Sequence, residues 1–448
     1  MTWLRPALDL LHSLPAAPDP RLRRFFLANR PVSIARAPGR LDVMGGIADY
    51  SGARVLELPL ACATFALVQA QEAPRCEIVS HRGNRWDYFA TDFPLSSPAE
   101  LAAWFRGRAA DRWAGYVAGV VQAVLPAGPA DGGLRVLIDS TVPEGRGVAS
   151  SAALEVATAM AVAASGRVEI SPEELAATCQ RVENHVVGAP CGIMDQLTSA
   201  CGKKDHLLQL HCQPGTIEGY IAVPSGYRFY GIDSGISHAV SGADYGTVRT
   251  AAFMGLRILT TETEWRGRYL ADLTPSRFAE LGGILPPEMS GAEFLDRYGG
   301  TSDSATTVIA NRLYPVRRAT AHPVHEQERV DQFAALLHEL PVRPDAAREL
   351  SELMYASHES YSACGLGSNG TDRLVELVKA ADHENGLFGA KITGGGSGGT
   401  VAVFGRSDAE PAVRDIAARY AAESGHGARV FAESGPGAAE TGVLSAKP

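Results

Sequence analysis

Apolar and polar positions follow two periods along this chain. Short apolar runs at Val32-Ser33-Ile34-Ala35, Leu58–Val68, the β-branched Leu134-Arg135-Val136-Leu137-Ile138 and Phe229-Tyr230-Gly231-Ile232 predict strands. Ile78-Val79 with Tyr88-Phe89 predicts a hairpin. The alanine-rich stretch Leu154–Ala164 has no Gly or Pro and predicts a helix. Helical spacing over Trp104–Val124 predicts another, with Trp113 and Tyr116 on its core face. Pro172–Val187 predicts a third: Ser171 suits a cap, Pro172 a first turn, and Glu173 and Glu174 the positive helix end. Residues 1–30 suggest one or two surface helices, residues 250–350 helices broken by prolines, and Asp372–Ala381 a further helix. A domain boundary is expected near residue 226.

With 448 residues the chain has material for about two domains. Its 46% hydrophobic and 20% charged residues fit a soluble globular protein. The net charge is −9 and the basic residues form no block, which argues against nucleic acid as the main partner. No apolar run is long enough to span a bilayer, and Met1–Pro6 has no signal-peptide core, so no membrane partner is expected. The seven cysteines are scattered without a C-x-x-C, which fits reduced thiols and a cytoplasmic location. Cys201, His206, His211 and Cys212 lie close in sequence, but their spacing matches no zinc finger.

Between the Leu134 strand and the alanine-rich helix lies Pro143-Glu144-Gly145-Arg146-Gly147-Val148-Ala149-Ser150-Ser151-Ala152-Ala153. Strand, glycine turn and helix start form an arrangement that binds phosphate, because the first helical N–H groups lack internal partners. The same pattern also describes an ordinary capped helix. Ser150 and Ser151 offer hydroxyls as cap, phosphate donor or Mg²⁺ ligand. The turn is neither a Walker A loop nor a dinucleotide fingerprint. Arg36–Gly52 is expected as a polar loop, with Arg40 and Asp49 either lining a site or forming a solvated ion pair. Asp195 stands among apolar neighbours at a helix start, as a structural cap or a carboxylate held for proton work. Thr393–Gly399 enters a strand through five glycines in six positions, as an ordered strand–loop–strand turn.

Together, Pro38–Gly45, Pro143–Ala153 and Thr393–Gly399 resemble motifs one, two and three of the GHMP small-molecule kinases, in order and spacing, across nearly the whole chain. Cys191-Gly192-Ile193-Met194-Asp195-Gln196 and Trp113–Val120 are similar to the galactokinase branch. Asp42–Gly52 and Ser241–Gly246 look closest to the group that phosphorylates L-arabinose. Galactokinases usually read Gly-Glu-His-Thr-Asp-Tyr where this chain reads Gly45-Gly46-Ile47-Ala48-Asp49-Tyr50. Gly46 and Ile47 thus replace the Glu and His that reach the sugar's C6 hydroxyl. L-Arabinopyranose lacks that arm, and Ile47 would fill its space. Two further departures are Ala149, often Ser in galactokinases, and Ser397, usually Phe.

The resemblance implies an α+β fold with an N-terminal mixed-sheet domain (1–226), a ferredoxin-like C-terminal domain (227–448), and an active site in the cleft between them. It implies an ATP-dependent sugar-1-kinase using Mg²⁺ and making β-L-arabinose 1-phosphate. The same-class alternative is a galactokinase or uronic-acid 1-kinase. From a different class, the alternative is a non-catalytic sugar- and ATP-binding regulator. Asp195 would accept the C1 hydroxyl proton beside Arg40. Residues Gly145, Arg146, Gly147, Val148, Ala149, Ser150, Ser151 and Ala152 would hold the ATP phosphates, and Ser150, Ser151 and Glu183 the metal. Asp49, Gly46, Ile47, Gly192, Asp195, Tyr245 and Gly395 would contact the sugar.

Overall fold

Two sheets organise the molecule, each built where the apolar runs place it. The computed structural model describes residues 2–448 apart from 83–84, 93–94, 96, 131, 238–242 and 382–384. The Ser241–Gly246 stretch therefore falls partly outside the described residues. The first sheet contains β1 (Val32–Met44), β2 (Arg54–Gln71), β3 (Arg75–Arg82), β4 (Arg85–Asp92), β5 (Gly133–Ser140), β6 (His206–His211) and β7 (Thr216–Ala222). β1 and β2 pair antiparallel, β5 lies against β2, and β3 runs parallel to β5 with β4 outside it. β8 (Tyr227–Asp233) opens the second half. A two-stranded ribbon, β9 (Met289–Ser290) with β10 (Leu313–Tyr314), follows. The second sheet joins β8 to β11 (Leu387–Ile392), β12 (Thr400–Arg406) and β13 (Val430–Phe431), all antiparallel, in the order β11-β12-β8-β13. The last strand, β14 (Leu444–Ala446), returns to the first sheet beside β1.

The helix Ser150–Gly166 packs on the first sheet, with Val156, Ala159 and Val162 fully buried against Ala66, Val68 and Val136. Burying each aliphatic side chain there contributes about 1.5–3 kcal/mol. The second sheet packs Tyr230, Ile232 and Val403 on the helices Asn369–Ala381 and Glu410–Ser424. Its other face meets the helices Val316–Glu339 and Ala346–Ala363 through Phe229, Phe404 and Phe333. The result is the two-domain α+β arrangement expected. Among the described residues no helix is long and apolar enough to cross a membrane.

Three expectations change. Arg36–Met44 is not a loop but the continuation of β1, and it is buried throughout. Its charges can enter the sheet because each finds partners. Arg36 donates to the carbonyls of Pro436 at 2.7 Å and Ala61 at 2.8 Å, and Lys391 Nζ meets Asp42 Oδ2 at 2.7 Å. Trp104–Val124 divides into Pro98–Arg106 and Arg112–Val124, because Gly107 closes the first helix. The Pro172 helix, capped by Ser171 with Glu174 in a reciprocal box, ends at Val182 and continues as one π-turn, Glu183–Val187. Such turns interrupt helices at functional positions.

Candidate active site

Three turns converge on one cavity. They are the 3₁₀ turn Gly46–Ser51 after β1, the Pro143–Ala149 loop after β5 and the glycine turn between β11 and β12. With the 188–195 segment they enclose about 250 Å³. Of the candidate residues, Arg40, Ile47, Asp49, Gly145, Gly147, Ala149, Ser150, Ser151, Glu183, Gly192, Asp195, Tyr245 and Gly395 line it.

In the loop before the Ser150 helix, Gly145, Gly147 and Ala149 have φ of 66°, 70° and 58°. A left-handed alanine costs roughly 1–2 kcal/mol. Ala149 occupies the N-cap position and makes no side-chain cap, so Ser150 opens the helix rather than capping it. The first-turn N–H groups and helix dipole are thereby left for an anion. Val148 and Ala152 turn their side chains into the core, so they can take part only through backbone. Arg146 departs from expectation: its guanidinium faces Asp233 on β8 at 3.6 Å and it does not line the cavity. Its carbonyl accepts from the Thr400 hydroxyl at 2.8 Å, so this residue clips the loop to the second sheet.

A register shift in β1 between Pro38 and Arg40 brings the Arg40 backbone N–H to the Val148 carbonyl at 3.1 Å. The Arg40 side chain is 3% exposed and Asp195 20%, so the guanidinium supports the carboxylate from behind. Arg40 Nε and Nη2 meet Asp195 Oδ1 at 2.9 and 2.8 Å, and Nη1 donates to the Gly147 carbonyl at 2.6 Å. Glu57 Oε2 lies 3.3 Å from Nε. Burial opposes the charge on Arg40, but Asp195, Glu57 and Asp42 outweigh it and raise its pKa.

On the opposite flank Asp49 is buried and its Oδ1 has no partner. Burial, then the Asp195 charge, lifts the Asp49 carboxyl to about 7 against the pull of Arg249. A Cβ at Gly192 would fall on the Asp49 carboxylate, so only glycine fits there. Tyr245 stands edge-on to Tyr50, ring centroids 5.8 Å apart. Gly46 is the second departure. It does not line the cavity, its N–H donates to Asp42 Oδ1 at 3.0 Å, and a side chain there would point into the hydroxyl of Tyr361. Of the Gly46-Ile47 pair, Ile47 alone reaches the cavity.

Glu183 accepts from Gln196 Nε2 at 2.7 Å and lines the same cavity as Ser151. Burial raises its carboxyl to about 7, partly offset by the Ser151 hydroxyl. Behind it Glu155 is fully buried with both oxygens unpartnered, and burial with the Glu183 charge drives its pKa well up. Hydroxyl and carboxylate oxygens with unspent electrostatic demand suit a hard divalent cation.

Sequence reasoning missed several neighbours. Glu155 carried a signal, one acid inside an otherwise apolar alanine-rich helix. Tyr116 lines the cavity, and Trp113 lines an adjoining one of about 560 Å³ that shares Tyr116, Gly145, Ser150 and Ser151. Both were expected in the core. Arg249 pairs with Asp303 at 2.8 and 2.9 Å and donates to the Cys191 carbonyl at 3.0 Å. Asp303 comes from residues 250–350, where nothing local marks it.

The raised Asp49 carboxyl has a thermodynamic consequence. The folded protein holds that proton up to about pH 7, whereas the unfolded chain releases it near 4. This contribution to stability is full below pH 4 and is lost as pH rises through 7. Asp49→Asn should therefore make the ligand-free protein's melting temperature fall less steeply between pH 4 and 7 than the wild type's. Parallel slopes in thermal scans would show that Asp49 is ionised well below 7.

A profile for the GHMP kinases N terminal domain matches residues 115–203, and one for the GHMP kinases C terminal matches 335–422. An L-arabinokinase of Arabidopsis thaliana is 40% identical over 92% of this chain, which spans 46% of that relative's length. A galactokinase of Chloroflexus aggregans is 31% identical over 90% of this chain and 91% of its own. Among solved structures, Lactococcus lactis galactokinase complexed with galactose superposes with a TM-score of 0.77 at 19% identity, over 99% of this chain and all (100%) of that one. L. major mevalonate kinase superposes at 0.55 with 15% identity, covering 90% and 96%. The chain belongs to the GHMP kinase superfamily, in its galactokinase branch.

Proposed function

We propose that the protein transfers the γ-phosphoryl group of ATP to the anomeric hydroxyl of a pyranose, with L-arabinose preferred and β-L-arabinose 1-phosphate the product. The observation that carries this is the Arg40–Asp195 pair, set between an uncapped helix start and the Ile47–Asp49 wall of one cavity. The sugar's C1 oxygen attacks the γ-phosphorus, the bond to the ADP oxygen breaks, and Asp195 takes the hydroxyl proton. Arg40 holds the Asp195 carboxylate in place through Nε and Nη2 and offsets charge as it develops on the phosphoryl oxygens. Asp49 accepts from ring hydroxyls, with Gly192, Tyr245 and Gly395 completing the wall. The triphosphate lies along Gly145–Ser151 and the nucleoside in the adjoining cavity beside Trp113 and Tyr116.

Ser150, Ser151 and Glu183 fit Mg²⁺, which when bound neutralises phosphate charge. The lobes we assign are residues 1–226 and 227–448. β7 ends at Ala222 and β8 begins at Tyr227, which supports the division, while β14 straps the chain end to the first lobe. Seven free cysteines fit a reducing compartment, and we place the activity in the cytoplasm.

Coupled ADP release over a sugar panel tests this reading; no turnover with any pyranose would overturn it. Ile47→Ala should open the space beside Asp49 and lower the arabinose-to-galactose ratio of kcat/KM about tenfold, the range for one or two methylenes in a pocket. An unchanged ratio would remove Ile47 as selector. Placing Glu at position 46 is not an equivalent test, since no side chain fits there.

A further inference from the structure

We infer that Tyr361, a residue of the second lobe, is a positioning residue that sets Ile47 and the Gly394 turn against the sugar and so tunes sugar choice; this rests on the sugar-kinase reading. Tyr361 lies in the helix Ala346–Ala363 and is fully buried. Its hydroxyl accepts from the Ile47 N–H at 2.8 Å and donates to the Gly394 carbonyl at 3.2 Å. Ile47 and Gly394 both line the cavity, one from the turn after β1 and the other from the turn after β11. One oxygen atom therefore ties a wall from each lobe.

Room for that oxygen exists because residue 46 is glycine. A Cβ there would overlap the Tyr361 hydroxyl, approach its Cζ to 2.8 Å and Asp42 Oδ2 to 2.6 Å, and require a side chain at φ +46°. Gly46 and Tyr361 thus act as one device: the missing side chain of the first lobe is replaced by a hydroxyl delivered from the second. The ring is itself fixed. Lys391 Nζ, which pairs with Asp42, lies 5.2 Å from the ring centroid, and the His322 ring meets it edge-on at 5.1 Å. Ile47 is then anchored by its backbone, so its side chain can exclude a larger sugar instead of yielding to it.

Tyr361→Phe keeps the ring and removes only the bridging oxygen. It should remain folded, yet raise KM for the preferred pentose about tenfold and lower the pentose-to-hexose ratio of kcat/KM about fivefold, with KM for ATP within about twofold. In an Ile47→Ala background the same change should leave the ratio where Ile47→Ala alone puts it. A purely structural tyrosine would lower stability and activity for every sugar alike, and leave the ratio untouched. Hydrogen exchange of the Ile47 amide in ligand-free protein gives a readout independent of turnover, and should speed up at least about tenfold in Tyr361→Phe. An unchanged ratio, or an unchanged Ile47 exchange rate, would overturn the inference. A wild type that phosphorylates no sugar would instead sink the sugar-kinase reading, while the exchange rate still judges the anchor.

Discussion

Asp195→Asn should lower kcat about 10³-fold while ATP binding, followed by calorimetry, changes less than about twofold. The substitution keeps size and shape but removes the carboxylate that, in the proposed mechanism, takes the sugar's proton. General-base participation accounts for roughly 10²–10⁴ in rate, or about 3–5 kcal/mol of barrier. Arg40 would keep a polar neighbour in the oxygen of the introduced amide, so the cavity should hold its form. In the proposed arrangement the nucleotide is held elsewhere, by the 145–151 loop and helix start, which accounts for the expected separation of binding from turnover. The sign of the stability change is informative as well. Arg40 also faces Glu57 at 3.3 Å, so losing one carboxylate leaves it paired and the variant folded. A variant retaining more than a tenth of wild-type kcat would show that positioning alone drives the transfer and that the proton leaves by another route.

How far the chain could be read in advance depended on whether each feature was local. The strand–glycine–helix turn at 143–153 was legible because its ingredients are contiguous, and the Ser171 cap because its partner Glu174 lies three residues on. Strand β1 was misread at Arg36–Met44. Polar residues of both signs look solvated when viewed alone, and their partners Lys391, Pro436 and Asp195 are distant in sequence. The same blindness hid Asp303 and Tyr361, which act on the site through Arg249 and Ile47. Gly46 shows the converse failure. Standing with Ile47 where galactokinases carry Glu and His suggested a shared role, but successive residues in a tight turn face different ways, and Gly46 faces a neighbour some 300 positions on.

Arg40→Met should both slow turnover and destabilise the fold, and the second effect separates this residue from a pure catalyst. The guanidinium is buried and serves Asp195, Glu57 and the Gly147 carbonyl together. Removing it leaves the fully buried Glu57 and the cavity-lining Asp195 without their shared cation; breaking a buried pair costs about 3–5 kcal/mol. For a domain whose whole stability is about 5–15 kcal/mol that loss should show as a large drop in denaturation midpoint. Arg40→Lys keeps one charge but cannot span the three partners, so it should lie between Met and wild type in both stability and rate. Adding Asp195→Asn to Arg40→Met should restore part of the lost stability, because one of the two carboxyl groups that Arg40 served is replaced by an amide. In a double-mutant cycle the stability effects should then be non-additive by more than about 1 kcal/mol. Additive effects would mean that the two side chains do not interact in solution, and the alignment of the sugar oxygen with the phosphoryl group would have to come from elsewhere in the cavity.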